Sequence, residues 1–250
     1  MALLFTPLKM GAQTLPNRIC VPPMCCCLAR EGVGSDELIA HYEKLAASGA
    51  GLVVIEATAV RADGRITTRC LGLYNDEQER FFKRLLKACR AVAPAETKFF
   101  LQLSHCGRKG SRKDPKTGHG TLLPEEGGFA LMAPSAVAYT PQAPMPREMT
   151  EADIDRMLQA FEAAAHRAAR VGFDGIQIHA AHGYLVHQFL SPVTNRRTDN
   201  WGGSLQNRQR FALEVVKAVQ RGAPELDVMV RLSACDWMQN GADEEQALSL

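Results

Sequence analysis

Three polar residues, Gln102, His179 and Arg231, stand near the carboxyl-terminal ends of predicted strands, each on the side opposite an apolar pair. Alternate side chains of a parallel barrel strand point outward to the helices and inward to the barrel axis, so this alternation places all three inside. Barrel enzymes assemble their active sites at this end of the strands. Cys25, just after the first predicted strand, and Ala57, at the end of the second, belong to the same rim, which is therefore the predicted site.

His179 and His182 place two imidazoles three residues apart, and the residues alone leave two interpretations open. The pair can be a structural one that is held by hydrogen bonds. It can also ligate zinc in a metal-assisted hydrolase or isomerase, although no carboxylate or third histidine stands at ligand spacing. Single Gln, His and Arg residues at strand ends are often structural, and a cysteine is often a small buried apolar residue.

The elements that carry these residues follow a regular alternation. Apolar runs of strand length alternate with longer segments of helical period, which is typical of βα units and a parallel sheet. Predicted strands cover 18–22, 51–57, 98–103, 175–179 and 227–234; predicted helices cover 35–48, 76–92, 150–172 and 204–221, and one more begins at 243. This pattern predicts an α/β fold, a TIM (β/α)₈ barrel with about five of its eight units. We expect one unit over 1–250, the N-terminal portion of such a barrel.

The segment 104–149 interrupts this alternation. It is rich in Gly, Pro, Lys and Arg and has no sustained period. Because loops of this length in compact domains are usually functional, we predict an active-site lid or a substrate wall. Arg108, Lys109 and Arg112 can attract nucleotide phosphates there, but solvated surface charge is the favoured interpretation.

Composition excludes several classes of protein. The chain has 250 residues, of which 46% are hydrophobic and 22% charged, with a net charge of +2, so disordered and fibrous classes are excluded. The small net charge gives no support to a nucleic-acid or membrane partner, and a small-molecule ligand fits better. The eight cysteines show no CxxC pattern. Reduced thiols and a cytoplasmic location are therefore expected.

A long motif follows the fourth predicted strand. Residues 179–185 read HAAHGYL, 195–204 read NRRTDNWGGS and 207–211 read NRQRF. Shorter matches are PMC at 23–25, EATAV at 56–60, QLSHCGRK at 102–109 and VRLSA at 230–234. Through these segments the chain resembles the Old Yellow Enzyme family of NADH:flavin oxidoreductases over nearly all of its length. The cysteine after Pro-Met is similar to that of the bacterial YqjM-like, or thermophilic-like, branch.

The resemblance implies a barrel that binds FMN, takes hydride from NADPH or NADH, and passes it to the double bond of an α,β-unsaturated carbonyl compound, which makes it an ene-reductase. By position, the flavin-binding residues implied are Pro22, Pro23, Met24, Cys25, Ala57, Gln102 and Arg231. The Gln102 amide offers a donor and an acceptor to the flavin pyrimidine ring. The permanent charge of Arg231 favours the anion that forms on flavin reduction.

The same resemblance implies catalytic roles for three residues of the motif. His179 and His182 are similar to the pair that donates hydrogen bonds to the substrate carbonyl oxygen, which stabilises negative charge there. Tyr184 matches the residue that protonates the α-carbon. Cys27 stands where the YqjM-like branch has a tyrosine, so it is predicted to bind substrate through a larger and softer pocket wall. Cys27→Tyr should then change the substrate profile.

The family's flavin phosphate rests on strands seven and eight of the barrel, beyond the five strands predicted here. Each charge-assisted hydrogen bond lost there costs about 1.5–3 kcal/mol. We therefore expect the 250-residue chain to bind FMN weakly. The resemblance implies a homo-oligomer for the full-length form, because relatives in this branch pair their subunits. Two alternatives stay open: a non-catalytic or cofactor-poor truncated remnant of the family, and a metal-assisted barrel hydrolase or isomerase that uses His179 and His182.

Overall fold

The computed structural model describes residues 2–250, so Met1 of the predicted unit lies outside the described residues. The strands are β1 Leu8–Met10, β2 Gln13–Leu15, β3 Cys20–Val21, β4 Ala29–Arg30, β5 Val33–Gly34, β6 Leu52–Ala59, β7 Leu71–Gly72, β8 Lys98–Ser104, β9 Met132–Ala133, β10 Arg147–Glu148, β11 Gly175–Ala180 and β12 Asp227–Leu232. The helices are α1 Asp36–Ala46, α2 Asp76–Val92, α3 Glu151–Val171, α4 Leu185–Leu190, α5 Leu205–Gly222 and α6 Glu244–Leu248.

The main sheet has the strand order β12-β11-β8-β6-β3, and the short strand β7 also pairs with β6. All of these pairs are parallel. Strands that follow one another in the predicted βα series are thus neighbours, as they are in a (β/α) barrel. The described residues form five main strands of a half-barrel, which is the incomplete barrel that the sequence predicts.

Two apolar clusters lie on opposite faces of this sheet. The larger one packs strand residues such as Ile55, Leu101 and Ile178 against the helices. The smaller one, Leu15, Leu52, Val54 and Phe100, fills the concave face at the amino-terminal ends of the strands. Within residues 2–250 no helix combines the length and the apolar character that a membrane span requires.

The helix termini follow the capping signals in the sequence. The Thr150 side chain accepts from the Asp153 N–H while the Asp153 side chain accepts from the Thr150 N–H, so the predicted capping box begins α3. Gly172 ends α3 in the left-handed conformation at φ 99°. Ser204 caps α5 through the Asn207 N–H. The predicted bounds of α2 agree with the structure, because its apolar stripe runs without interruption between its ends.

Several boundaries and short elements differ from the predictions. The first barrel strand is limited to Cys20–Val21 because Pro22 and Pro23 have no N–H group for the ladder. The last strand ends at Leu232 and not at 234, and the chain then turns so that Ser233 accepts a hydrogen bond from the His182 N–H. The β1–β2 hairpin, β7 and α4 were not predicted from the sequence.

The long segment 104–149 is attached to the barrel through its C-terminal part, where the chain returns to the barrel. There β9 and β10 form a two-stranded parallel pair. The buried Arg197, in the α4–α5 connection, donates to the Pro134 carbonyl at 2.9 Å and to the Met149 carbonyl at 2.6 Å. The Arg196 N–H donates to Ser135 Oγ at 2.9 Å. The role of this segment as a lid or a substrate wall stays a prediction.

Candidate active site

The concave face carries two rows of polar side chains toward the carboxyl-terminal ends of the strands. In one row Gln102 of β8 lies beside Gln177 of β11, and Gln102 Nε2 donates to Gln177 Oε1 at 2.6 Å. In the next row His179 of β11 lies beside Arg231 of β12. Alternation along β8 places Ser104 on the same face as Gln102. The three polar residues singled out from the sequence therefore share one face.

A β-bulge in β6 faces the Gln102 side of this surface. The register of β6 against β8 shifts between Ile55 and Thr58, so Glu56 and Ala57 together oppose Gln102. A bulge leaves main-chain groups outside the hydrogen-bonded ladder. The main chain of Ala57 is therefore free of the regular ladder next to the Gln102 amide.

The Ser104 hydroxyl is a buried polar atom without a hydrogen-bond partner among the described residues. Such atoms are uncommon, because a buried polar group without a partner costs about 1–3 kcal/mol. A ligand that carries donors and acceptors would give this hydroxyl a partner. Together with the bulge and the Gln102 amide, it marks a surface suited to a ligand with a polar edge.

His179 is a neutral imidazole in a defined tautomer. Burial, with smaller contributions from His182 and Arg231, lowers the pKa of His179 to about 3. Its Nδ1 accepts from the Ala181 N–H at 3.3 Å, which leaves the ring proton on Nε2. The His179 ring lies 5.1 Å from that of His182 and 4.9 Å from that of Tyr184 between centroids. The structure thus brings the three motif residues together.

The turn that carries His182 is held from several sides. His182 has a left-handed backbone at φ 58°, and its N–H donates to Ser233 Oγ at 3.0 Å. Lys109 Nζ donates to the His182 carbonyl at 2.8 Å. The Gly183 N–H donates to His187 Nδ1 at 2.7 Å. These contacts fix a conformation that non-glycine residues seldom adopt, so His182 is held in place before any ligand binds.

A hydrogen-bond network around Asp236 supports this turn. His187 Nε2 lies 2.8 Å from Asp236 Oδ1, and Ser191 Oγ donates to Asp236 Oδ2 at 2.6 Å. Although burial acts in the opposite direction, the hydrogen bonds from His187 and Ser191 lower the pKa of Asp236 to about 2. Asp236 is therefore a carboxylate at neutral pH and holds the His187 ring in the orientation that accepts from Gly183.

Tyr184 presents a protonated phenol beside the two histidines. Its burial raises the pKa of Tyr184 above the ordinary value, so the hydroxyl keeps its proton at neutral pH. Lys109 Nζ lies 5.0 Å from the centroid of the Tyr184 ring and 4.9 Å from that of Tyr139. Tyr184 also precedes the first residue of α4, where the backbone changes direction. The ring position is thus set by the helix start and by packing.

The loop that follows β3 is fastened to the bulge by Glu56. The Cys26 N–H donates to Glu56 Oε2 at 3.0 Å, and the Tyr42 hydroxyl accepts from the Glu56 N–H at 2.8 Å. Of the predicted flavin-binding residues here, Met24 and Cys25 are exposed and Pro23 is half-buried. This contact brings the loop next to Ala57, so the two predicted flavin-binding segments are adjacent.

Glu56 makes the stability of the fold depend on pH. Burial raises the pKa of Glu56 to about 7, from an ordinary value of 4.5. The folded state therefore binds a proton more tightly than the unfolded state, and this contribution to stability is lost as the pH rises from about 4.5 through about 7. In the parent protein this loss lowers the free energy of unfolding by about 3 kcal/mol over that range, and Glu56→Gln should abolish this decline.

Denaturant titrations of the parent protein and of Glu56→Gln at pH 4.5, 6 and 8 measure this effect. The exposed Glu96 offers a matched control, and Glu96→Gln should follow the parent protein at every pH. A difference between parent and Glu56→Gln that stays constant with pH would contradict the assignment of the shifted pKa to Glu56.

The basic residues of the long segment make internal contacts. Arg108 Nη1 donates to the Val137 and Ala138 carbonyls at 3.1 and 3.0 Å. Lys109, as described above, holds the His182 turn, and burial lowers the pKa of its amine. A cavity of about 250 Å³ lies between these two residues, His182 and Asp236. Arg108 and Lys109 are thus more than solvated surface charges, because both bind main-chain carbonyls.

Some residues of the site could have been found from the sequence and others could not. Gln177 and Ser104 follow from strand alternation once Gln102 and His179 are placed. Glu56 is a carboxylate inside an apolar strand, which is itself a signal. Over residues 2–250 no group of three or more ligating side chains has metal-binding geometry, so His179 and His182 lack a third partner there.

Comparison with known proteins decides the family. The model of the NADH:flavin oxidoreductase / NADH oxidase family matches residues 3–249. The chain belongs to this family. It is 42% identical over 243 residues to an NADH:flavin oxidoreductase of Gibberella zeae, with 95% of this chain and 58% of that protein covered. It is also 42% identical over 247 residues to an NADPH dehydrogenase of Listeria welshimeri, with 98% and 68% covered.

Solved structures agree with this assignment to the NADH:flavin oxidoreductase / NADH oxidase family. Morphinone reductase has a TM-score of 0.82 and 32% identity, with 99% of this chain and 67% of that chain covered. The Old Yellow Enzyme homologue of Zymomonas mobilis has a TM-score of 0.82 and 31% identity, with 98% and 67% covered. The resemblance to the Old Yellow Enzyme family is confirmed. The chain spans 58% and 68% of the length of the two relatives named above.

Proposed function

We propose that this chain forms the flavin-facing and substrate-facing part of an FMN-dependent oxidoreductase that moves hydride from NADPH or NADH to the double bond of α,β-unsaturated carbonyl compounds. The observation that carries the proposal is the common face of Gln102, His179 and Arg231, at the carboxyl-terminal ends of three neighbouring strands. The family supplies the type of chemistry. The residues supply the contacts that this chemistry needs.

The concave face fits the polar edge of a flavin ring. The Gln102 amide has a donor and an acceptor, the main chain of Ala57 lies at the bulge beside it, and the Ser104 hydroxyl lacks a partner. By resemblance, Pro22, Pro23, Met24 and Cys25 would line the ring from the adjacent loop. When bound, FMN supplies the two-electron chemistry, and the Arg231 charge would favour its reduced anion.

His179 and His182 would bind the carbonyl oxygen of the substrate. Burial keeps His179 neutral at pH 7. Its Nε2–H therefore donates a hydrogen bond, and no positive charge on the ring has to be desolvated first. Burial also lowers the pKa of His182. Two N–H donors to one oxygen would stabilise the negative charge that develops there when the β-carbon accepts hydride.

Tyr184 would deliver the proton to the α-carbon. Its raised pKa keeps the phenol protonated over the physiological range, and an enolate is basic enough to take that proton when the geometry is favourable. Cys27, half-buried in the loop that follows β3, would form part of the substrate wall. The segment 104–149 would form the lid or the opposite wall.

We further infer a reducing compartment, the cytoplasm, because all eight cysteines are free in the structure. The proposed substrate partner is a small α,β-unsaturated carbonyl molecule, and the full-length form is proposed to be a homo-oligomer. Neither a nucleic acid nor a membrane is among the proposed partners.

Anaerobic titration with FMN, followed by NADPH and then 2-cyclohexenone, tests the proposal. We expect flavin to bind, NADPH to bleach it, and the enone to restore its absorbance. Gln102→Leu should weaken flavin binding about tenfold, which corresponds to one hydrogen bond. The exposed Gln159 on α3 is the matched control, and Gln159→Leu should bind as the parent does.

The same titration separates the alternatives. If the phosphate is held outside these 250 residues, FMN and riboflavin should bind with similar Kd values, and both weakly. Flavin binding without bleaching by NADPH would favour the non-catalytic remnant. No flavin binding, together with zinc that is retained through dialysis, would favour the metal-assisted hydrolase or isomerase and would overturn the proposal.

A further inference from the structure

The cavity between the long segment and the His182 turn is lined by two cations that have no carboxylate partner. Arg108 and Lys109 both contribute to its wall, and its volume is about 250 Å³. Among the described residues 2–250, neither side chain forms an ion pair with an acidic residue. Cations that line a cavity without a counter-charge create a positive potential there, and this potential attracts an anion.

The Lys109 ammonium is held in place before any ligand binds. Its Nζ donates to the His182 carbonyl at 2.8 Å and lies 4.9 and 5.0 Å from the ring centroids of Tyr139 and Tyr184. An ammonium has three N–H groups, and this carbonyl is its one hydrogen-bond acceptor within the described chain. Burial and two neighbouring arginines lower the pKa of Lys109. A bound anion would offset that repulsion and accept from the remaining N–H groups.

Arg108 extends the same positive surface. Its Nη1 donates to the Val137 and Ala138 carbonyls, while Nε has no acceptor in the part of the chain that the structure describes. Burial lowers the pKa of Arg108, and the charge of Arg196 acts in the same direction. The positive charge of this wall is therefore balanced by main-chain carbonyl dipoles alone.

The acceptors around the cavity are already occupied. The carboxylate in its lining, Asp236, is bound by His187 Nε2, by the Ser191 hydroxyl and by the Ala242 N–H. The Thr194 hydroxyl donates to a main-chain carbonyl inside the protein. The charged groups that are left unused in this cavity are thus donors. This pattern suits a ligand whose polar atoms are acceptors and whose charge is negative.

We propose that this cavity binds a carboxylate group of the substrate, which is then an unsaturated oxo acid. The carboxylate is a separate group from the carbonyl that His179 and His182 are proposed to bind, so the inference rests on the proposed function. His182 joins the two sites, because its side chain belongs to the proposed carbonyl site and its main-chain carbonyl is bound by Lys109.

The size of the cavity favours a small acid over a nucleotide phosphate. Pockets for drug-sized ligands have volumes of about 300–1,000 Å³. The cavity beside Lys109, at about 250 Å³, is smaller than that range. It has room for a carboxylate with a few carbon atoms, whereas a nucleotide would also have to place its ribose and base there.

Binding of an unreactive oxo acid to the cofactor-free chain tests the carboxylate site without a redox step. The probes are 4-oxopentanoate, its uncharged methyl ester, and adenosine monophosphate as a nucleotide phosphate. Amide chemical shifts of isotope-labelled protein give a Kd for each probe, and the Gly183 amide reports on the cavity that Gly183 lines. We expect 4-oxopentanoate to shift the Gly183 amide and to bind at least about tenfold more tightly than its ester, as one charge-assisted hydrogen bond provides. Adenosine monophosphate should bind more weakly than the oxo acid.

Variants of Lys109 assign the preference to its charge. Lys109→Met should abolish the difference between acid and ester, and Lys109→Arg should retain it, because the cation is kept. Lys113→Met is the matched control. Lys113 lies in the same segment, but its amine pairs with Glu126 at 2.8 Å, so the same charge is removed outside the cavity. The preference should then stay within about twofold of the parent.

Three results would overturn the proposal: equal Kd values for acid and ester in the parent, equal weakening of both in Lys109→Met, or tighter binding of adenosine monophosphate than of 4-oxopentanoate. The second result would show that Lys109 acts only by holding the His182 turn. In flavin-loaded protein, 4-oxo-2-pentenoate should have a KM about tenfold lower than its methyl ester. Acid-selective binding without bleaching of flavin by NADPH would contradict the proposed function and still support the carboxylate site.

Discussion

Tyr184→Phe should slow reduction of the enone by flavin-loaded protein about a hundredfold and leave reduction of the flavin by NADPH unchanged. The substitution removes the phenolic proton and keeps the ring, and general acid catalysis of this kind contributes about 10²–10⁴-fold. Only the half-reaction that ends in protonation of the α-carbon needs that proton. Stopped-flow measurement of flavin bleaching and of flavin reoxidation separates the two half-reactions.

Tyr139 provides the control for this experiment. Its ring lies 4.9 Å from the same Lys109 amine, but the residue is 42% exposed and lies in the long segment. Tyr139→Phe should leave both half-reactions within about twofold of the parent. Equal slowing of the two half-reactions in Tyr184→Phe would show a structural role for Tyr184 in place of proton transfer.

Phe100→Ala should lower the free energy of unfolding by about 3–5 kcal/mol. The Phe100 ring is fully buried on the concave face, in the cluster with Leu15, Leu52 and Val54. A Cβ atom on Gly175 would lie 2.3 Å from this ring, so the absence of a side chain at Gly175 makes room for it. Removal of the Phe100 ring leaves a cavity below the row that contains Gln102. Denaturant unfolding measures the loss.

Phe5→Ala is the matched control, because Phe5 is 54% exposed. That change should stay within about 0.5 kcal/mol of the parent. A loss below about 1 kcal/mol in Phe100→Ala would mean that the sheet collapses into the space that the ring leaves, and the expected cavity would then be wrong.

Local rules in the sequence predict much of the framework. The capping box of Thr150 and Asp153 and the left-handed Gly172 set both ends of α3, because each depends on residues within one turn. Strand alternation places Gln102 and His179 on one face, since the side-chain period of a strand is fixed. The βα series predicts neighbouring parallel strands, and the sheet order agrees.

What the sequence does not predict depends on contacts between distant segments. The bulge at Glu56 and Ala57 is a property of the pairing of β6 with β8, so β6 alone carries no sign of it. The helix α4 is short, and Leu185–Phe189 are all buried, which removes the amphipathic period that identifies longer helices. The left-handed conformation of His182 likewise depends on partners such as Lys109 and Ser233.

Arg197 limits how far the segment 104–149 can be engineered. Its guanidinium satisfies two carbonyls of that segment from a site that is only 8% exposed. Excision of residues around Pro134 and Met149 would remove both carbonyl acceptors of the buried Arg197 Nη1, while Nε and Nη2 would keep the Asp199 carboxylate. A buried donor without an acceptor costs about 1–3 kcal/mol. Loop grafting in this scaffold should therefore be confined to the outward half of the segment, with the return past Met149 kept intact.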